Sequence, residues 1–136
     1  MLIVLAIVGL TLPFVVYKPT QAVLRVGGAN YQLQIASTPS GRQLGLGGRS
    51  AIPKDAGMLF VFDKPARQCM WMKDMRFPLD IIWVNDRKQV IYLKQNLAPA
   101  TYPAIFCSAT PSRYVIELNA GEAAKRHITL GQTLLF

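Results

Sequence analysis

The chain has one histidine, His127, and two cysteines, Cys69 and Cys107. A Ser-His-Asp site would have to use that single imidazole, which stands where the expected last helix ends, so it reads as a helix C-terminal residue rather than a catalyst. The two cysteines form no CxxC and have no metal-ligand spacing, and with one histidine they do not complete a zinc site. No metal and no cofactor is expected. Acids are scarce, seven against fifteen Lys and Arg, which leaves a net charge of +8. The cations are scattered, with Arg87-Lys88 and Lys125-Arg126 as the adjacent pairs. No basic run and no aromatic-basic ribonucleoprotein motif stands out, so the charge points to an anionic surface and not to nucleic acid. Gly45-Leu46-Gly47-Gly48 has neither the GxGxxG spacing nor the GK[ST] of a phosphate loop and reads as a turn.

With 136 residues, half of them hydrophobic, the chain has room for one domain and a real core. Residues 2–17 are an uncharged apolar run, broken by Gly9, Thr11 and Pro13 and closed by Lys18-Pro19. The run is a little short of the roughly 20 residues of a spanning helix and longer than many signal-peptide cores. Residues 1–21 are read as an N-terminal membrane anchor or signal segment that forms a hydrophobic helix. An uncleaved anchor is favoured over removal at Thr20-Gln21-Ala22 and over a buried core helix. The first two readings place residues 22–136 outside the cytoplasm, either membrane-anchored or exported. Cys69 and Cys107 suit that compartment as a disulfide; the other reading is two separate buried thiols.

Beyond Pro19 the pattern shortens to strands. Residues 22–26 and 31–36 flank Gly27-Gly28-Ala29-Asn30 as a hairpin. Thr38 caps one or two helical turns that end at Gly47-Gly48. Residues 58–62 and 69–72 read as strands, with Asp63-Lys64-Pro65 as a turn. Residues 79–84 and 89–93 form a second hairpin through 85–88, and a proline-punctuated loop, 96–112, is long enough for a lid or a rim. Residues 114–118 are a strand, Asn119 caps a helix from 120 to about 126 with Glu122 in a capping box, and 128–136 end in a strand. The expected fold is mainly β: a compact sandwich or barrel-like domain with one or two short helices.

Asp80 and Glu117 interrupt apolar strands, where a carboxylate needs a partner. Arg42, Arg49 and Lys73 are candidate cations, and Trp71 shares a strand face with Lys73 and Cys69. Arg42, Arg49, Trp71, Lys73, Asp80 and Glu117 therefore form a candidate binding cleft. Such a cleft suits an anionic envelope saccharide stacked on Trp71 in a membrane-tethered accessory module. Two further readings stand beside it. In one, an envelope hydrolase uses Asp80 and Glu117 as an acid-base pair; in the other, a module docks to a membrane-protein partner through loop 96–112. The bland alternative is that each acid merely ties down a loop.

Four blocks carry a resemblance: Gly57-Met58-Leu59-Phe60-Val61-Phe62; Trp71-Met72-Lys73-Asp74-Met75; Pro78-Leu79-Asp80-Ile81-Ile82-Trp83-Val84; and Tyr114-Val115-Ile116-Glu117-Leu118-Asn119-Ala120-Gly121. In order and spacing the chain resembles the domain-of-unknown-function 192 family, from about residue 33 to the C-terminus. The resemblance implies a compact β domain, often preceded by a signal or anchor, and no established activity. The family's characteristic positions fall on Arg42, Gly45-Leu46, Arg49, Gly57-Met58, Trp71, Met72, Lys73, Asp80, Glu117 and Gly121. Gly47, Gly41 and Asp74 depart from its usual Met, Glu and Asn.

Overall fold

The computed structural model describes residues 20–136, so the apolar run 2–17 and its expected helix lie outside the described residues. The first hairpin forms as its glycines dictate. Strand β1 (Gln21–Val26) pairs antiparallel with β2 (Ala29–Ala36) in a register that opposes Val26 to Ala29. Gly27 and Gly28 make the two-residue turn with φ of 53° and 73°, the left-handed region that a primed hairpin turn requires. Along β2, Tyr31 and Leu33 point inward while Gln32 and Gln34 face out, the period of a half-buried strand.

Thr38 then caps α1 (Pro39–Leu44), its hydroxyl accepting from the Gly41 N–H at 3.1 Å. The crossover through α1 lets β3 (Ala56–Ala66) lie parallel to β2, a pairing that the hairpin pattern did not suggest. The expected turn at 63–65 is absent; these residues run within β3, inside a register shift between Val61 and Ala66 against the neighbouring strand. That break in the ladder is where a strand tolerates Pro65, which has no N–H to donate.

β4 (Cys69–Trp71), β5 (Leu79–Val84), β6 (Val90–Leu97), β7 (Ile105–Cys107) and β8 (Ser112–Asn119) complete the strands, with α2 (Glu122–Lys125) after β8. The main sheet is mixed, in the order β1-β2-β3-β8-β5-β6, and β4 and β7 form a separate two-stranded ribbon. The expected mainly β single domain with short helices is thus observed. The loop 96–112, expected as a lid or a rim, is structured, with a 3-10 turn at Pro99–Thr101 and β7 inside it.

All six residues of β5 are buried because apolar groups cover both faces of the sheet. Ile82 and Val84 join Leu24, Tyr31, Leu33, Ile116 and Leu118 on one face. Leu79, Ile81 and Trp83 join Met58, Phe60, Met70, Met72 and Val115 on the other. The C-terminal segment fastens both sheet edges: Arg25 N–H donates to the Leu135 carbonyl on the β1 side, while Val90 and Leu134 N–H exchange bonds with the Gln132 and Lys88 carbonyls at β6. These bonds occupy part of each edge that would otherwise be open to pairing with another chain.

Candidate functional site

The alternation of side chains along a strand decides which acids can meet. In the β5–β8 pairing, Asp80 lies opposite Leu118 and Ile81 opposite Glu117. Leu118 belongs to the first core face and Ile81 to the second, so Asp80 and Glu117 project from opposite faces of the sheet. The expected acid-base pair is not brought together, and Asp80 does not reach the cleft.

Asp80 is instead a buried clamp. One carboxylate oxygen accepts from the Asn96 N–H and the other from the Ala123 N–H, each at 2.8 Å. The second bond satisfies an orphan donor in the first turn of α2. Asn119 does not cap that helix as expected; its amide donates to the Pro53 carbonyl at 3.0 Å, and Gly121, at φ 89°, stands at the N-cap. Glu122 makes no capping box. It accepts from the Tyr31 hydroxyl and pairs with Lys125 and Arg126 at 3.7 and 4.0 Å, fastening α2 to β2.

Glu117 has another environment. Its carboxyl faces a cleft of about 230 Å³ between the α1–β3 connection and the β4–β7 ribbon. Gly45, Leu46 and Gly47 form one wall, Cys69, Met70, Trp71 and Lys73 the other, and Phe60, Phe62 and Glu117 the floor. Gly45 ends α1 with φ 52°, and a Cβ there would approach the Phe60 ring to 3.2 Å, so glycine lets the wall close on the floor. Among the described residues no hydrogen bond or ion pair engages the Glu117 carboxyl. Burial pushes its pKa up to about 8, which favours the neutral carboxyl, a group able to donate as well as accept a hydrogen bond.

The other expected site residues divide. Arg42 lines the cleft, but its guanidinium is committed: it donates to the Ser37 and Val61 carbonyls at 2.6 and 3.0 Å and lies 5.1 Å from the Phe62 ring centroid. Trp71 and Lys73 meet at the mouth, with the ammonium 5.4 Å from the indole. Arg49 is elsewhere. It donates to Gln34 at 2.7 Å and borders a separate groove along β2 and residues 52–57.

Cys69 and Cys107 are direct partners across the ribbon and are joined as a disulfide, their Cα atoms 4.0 Å apart. The bond ties β4, which carries Trp71, to β7. The aromatic floor at Phe60 and Phe62 and the wall at Met70 and Met75 were not expected as site residues. In the sequence they read as strand core, and the signal near them is the place of Phe60, Phe62 and Met75 in the first two family blocks, with Met70 just outside the second.

Comparison with known proteins places this geometry in a family. The family model for DUF192, described as "Uncharacterized ACR", matches residues 22–136. No curated protein matches the chain. A crystal structure from Sinorhizobium meliloti 1021, provisionally described as a transcription regulator, is similar with a TM-score of 0.77 and 29% identity, over 88% of this chain and 97% of that one. A protein of unknown function from Novosphingobium aromaticivorans DSM 12444 gives a TM-score of 0.76 and 25% identity, over 85% of this chain and 84% of that one. The chain belongs to the DUF192 family.

Proposed function

We propose that the domain is an accessory binding module of the cell envelope, held at the outer face of a membrane by residues 2–17, and that its cleft takes one unit of an anionic saccharide. The observation that carries this reading is Glu117. A carboxyl buried in an apolar floor without a partner costs stability, and a ligand hydroxyl that bonds to it recovers part of that cost. Trp71 offers a stacking face at the mouth and Lys73 a cation beside it, the pair that an acidic sugar ring requires. At about 230 Å³ the cleft is below the roughly 300 Å³ at which ligand pockets usually begin, which suits a single ring or a chain end. The disulfide fits an oxidising compartment. The sheet, with both edges met by the C-terminal segment, is read as barrel-like, and this site lies on the face opposite the one that Leu134 covers.

The hydrolase reading lacks its second carboxylate, since Asp80 lies on the far face with both oxygens engaged. DNA binding is not carried over from the Sinorhizobium protein. Among the described residues the longest helix, α1, has six residues, too few to lie along a major groove as a recognition helix.

A thermal-shift panel tests the proposal: acidic and neutral envelope oligosaccharides, anionic polymers and divalent cations, each against the wild type and Trp71→Ala. A ligand at 100 times its Kd adds about 2.7 kcal/mol, a shift of several degrees for a domain of this size. The expected result is a shift with acidic saccharides that Trp71→Ala removes. Unchanged melting across the panel would sink the saccharide proposal.

A further inference from the structure

The rim of the cleft is apolar as well as basic. Leu44, 68% exposed, stands on the α1 side of the mouth, and Trp71, 39% exposed, stands on the ribbon side. Ile105, 60% exposed, is the direct cross-strand partner of Trp71. Tyr102, 43% exposed, meets the indole edge-on with ring centroids 5.9 Å apart. Indole, phenol and aliphatic groups grouped in this way are the side chains that enter a lipid headgroup zone. Lys73 borders the mouth and Arg76 an adjoining groove that also reaches Leu44, with Asp74 between them, and no ion pair engages either cation among the described residues. Charge of that sign complements an anionic leaflet.

The tether sets the distance. Lys18, Pro19 and Thr20 are all that separate the apolar run from β1, and three extended residues reach about 10 Å. That span is comparable to the Debye length of roughly 8 Å at physiological salt, so cations on a face turned to the membrane would feel the surface. Thr20 is itself fixed to β2, its carbonyl accepting from the Ile35 N–H at 2.9 Å. The cleft is one loop away: Gly45 to Gly47 line it, and Arg49 in the same loop borders the groove that contains Thr20 and Gln21.

We infer that the rim formed by Leu44, Trp71, Tyr102 and Ile105, with Lys73 and Arg76, is a second membrane-contact face that seats on an anionic bilayer and opens the cleft toward its headgroups. This inference rests on the tether reading and extends it: the ligand would be presented at the lipid surface and not from bulk solvent.

The test uses the full chain in lipid nanodiscs of phosphatidylcholine alone, or mixed with phosphatidylglycerol, each with ordinary or brominated acyl chains. The sequence has two tryptophans, and Trp83 is fully buried, so bromine quenching reports Trp71. The expected result is loss of most Trp71 emission in brominated discs that contain phosphatidylglycerol, weaker loss in phosphatidylcholine, and no loss in Trp71→Phe. Ile105→Asp, at an exposed site, should fold by circular dichroism and abolish the quenching. Equal emission in brominated and ordinary discs overturns the inference, as does equal quenching in both lipid compositions or quenching that Ile105→Asp leaves intact. Co-elution of the chain with the discs reports the tether separately. A chain that co-elutes without quenching refutes the contact face and spares the anchor, whereas a chain that elutes alone refutes both.

Discussion

Glutamine in place of Glu117 keeps the side chain's shape and removes the proton that the buried site retains. In the folded domain burial raises this carboxyl from 4.5 to about 8, so between those values the native state holds a proton that the unfolded chain has released. Stability from this group is therefore fully present below about pH 4.5 and declines as pH rises to about 8, by about 1.4 kcal/mol per pH unit. A displacement of about 3.5 pH units accumulates to roughly 5 kcal/mol at the alkaline end. Glu117→Gln has no such slope. At pH 4.5 the two proteins should unfold at similar urea concentrations, and at pH 8.5 the variant should be the more stable. With a urea slope near 2 kcal/mol/M, the midpoints should then separate by about 2.5 M. Other titrating groups are shared and cancel in the difference. Urea unfolding of residues 20–136 at four pH values provides the test. A midpoint difference that stays constant from pH 4.5 to 8.5 would refute the reasoning, because Glu117 would then ionise as readily folded as unfolded.

Three further perturbations separate the parts of the fold. Asp80→Ala strands the Asn96 and Ala123 N–H groups in a buried site and should cost about 3 kcal/mol, with faster amide exchange at Ala123. Gly57→Ala should cost about 1–3 kcal/mol by chemical denaturation, because its Cβ would lie 2.4 Å from the Glu117 carbonyl oxygen and within 3 Å of the Leu33 and Leu118 methyls. Replacing Cys69 and Cys107 with serine opens a loop closed across 38 positions and should cost up to about 4 kcal/mol by the chain-entropy model. The serine variant's losses should concentrate in the β4–β7 ribbon, which hydrogen exchange would show.

The legible parts of the fold were those with a local physical cause. Gly27-Gly28 announced its hairpin because only glycine adopts two consecutive left-handed residues freely, and the apolar run of β5 announced a strand. Asp63-Lys64-Pro65 misled because turn residues and a bulged strand share a composition; the partner across the ladder decides between them. The parallel β2–β3 contact was invisible, since it depends on the crossover and not on either strand. The site was half legible. Glu117 and Asp80 were both conspicuous as acids in apolar strands, but the sequence of either strand alone does not fix the register that sends them to opposite faces. Trp71, Lys73 and Arg42 were brought to the cleft, whereas Arg49 was drawn away by Gln34.

The proposed function gives a protonated Glu117 the role of donor to the ligand, and that protonation can be measured directly. The chain has two glutamates, Glu117 and Glu122, so carbon-13 NMR of the glutamate carboxyls gives two resonances, which Glu117→Gln assigns. Glu117 should titrate near pH 8, and an acidic saccharide identified by the thermal-shift panel should move that titration while leaving Glu122 in place. A Glu117 carboxyl that titrates at its ordinary value near 4.5, and ignores the ligand, would contradict the binding cleft at its foundation.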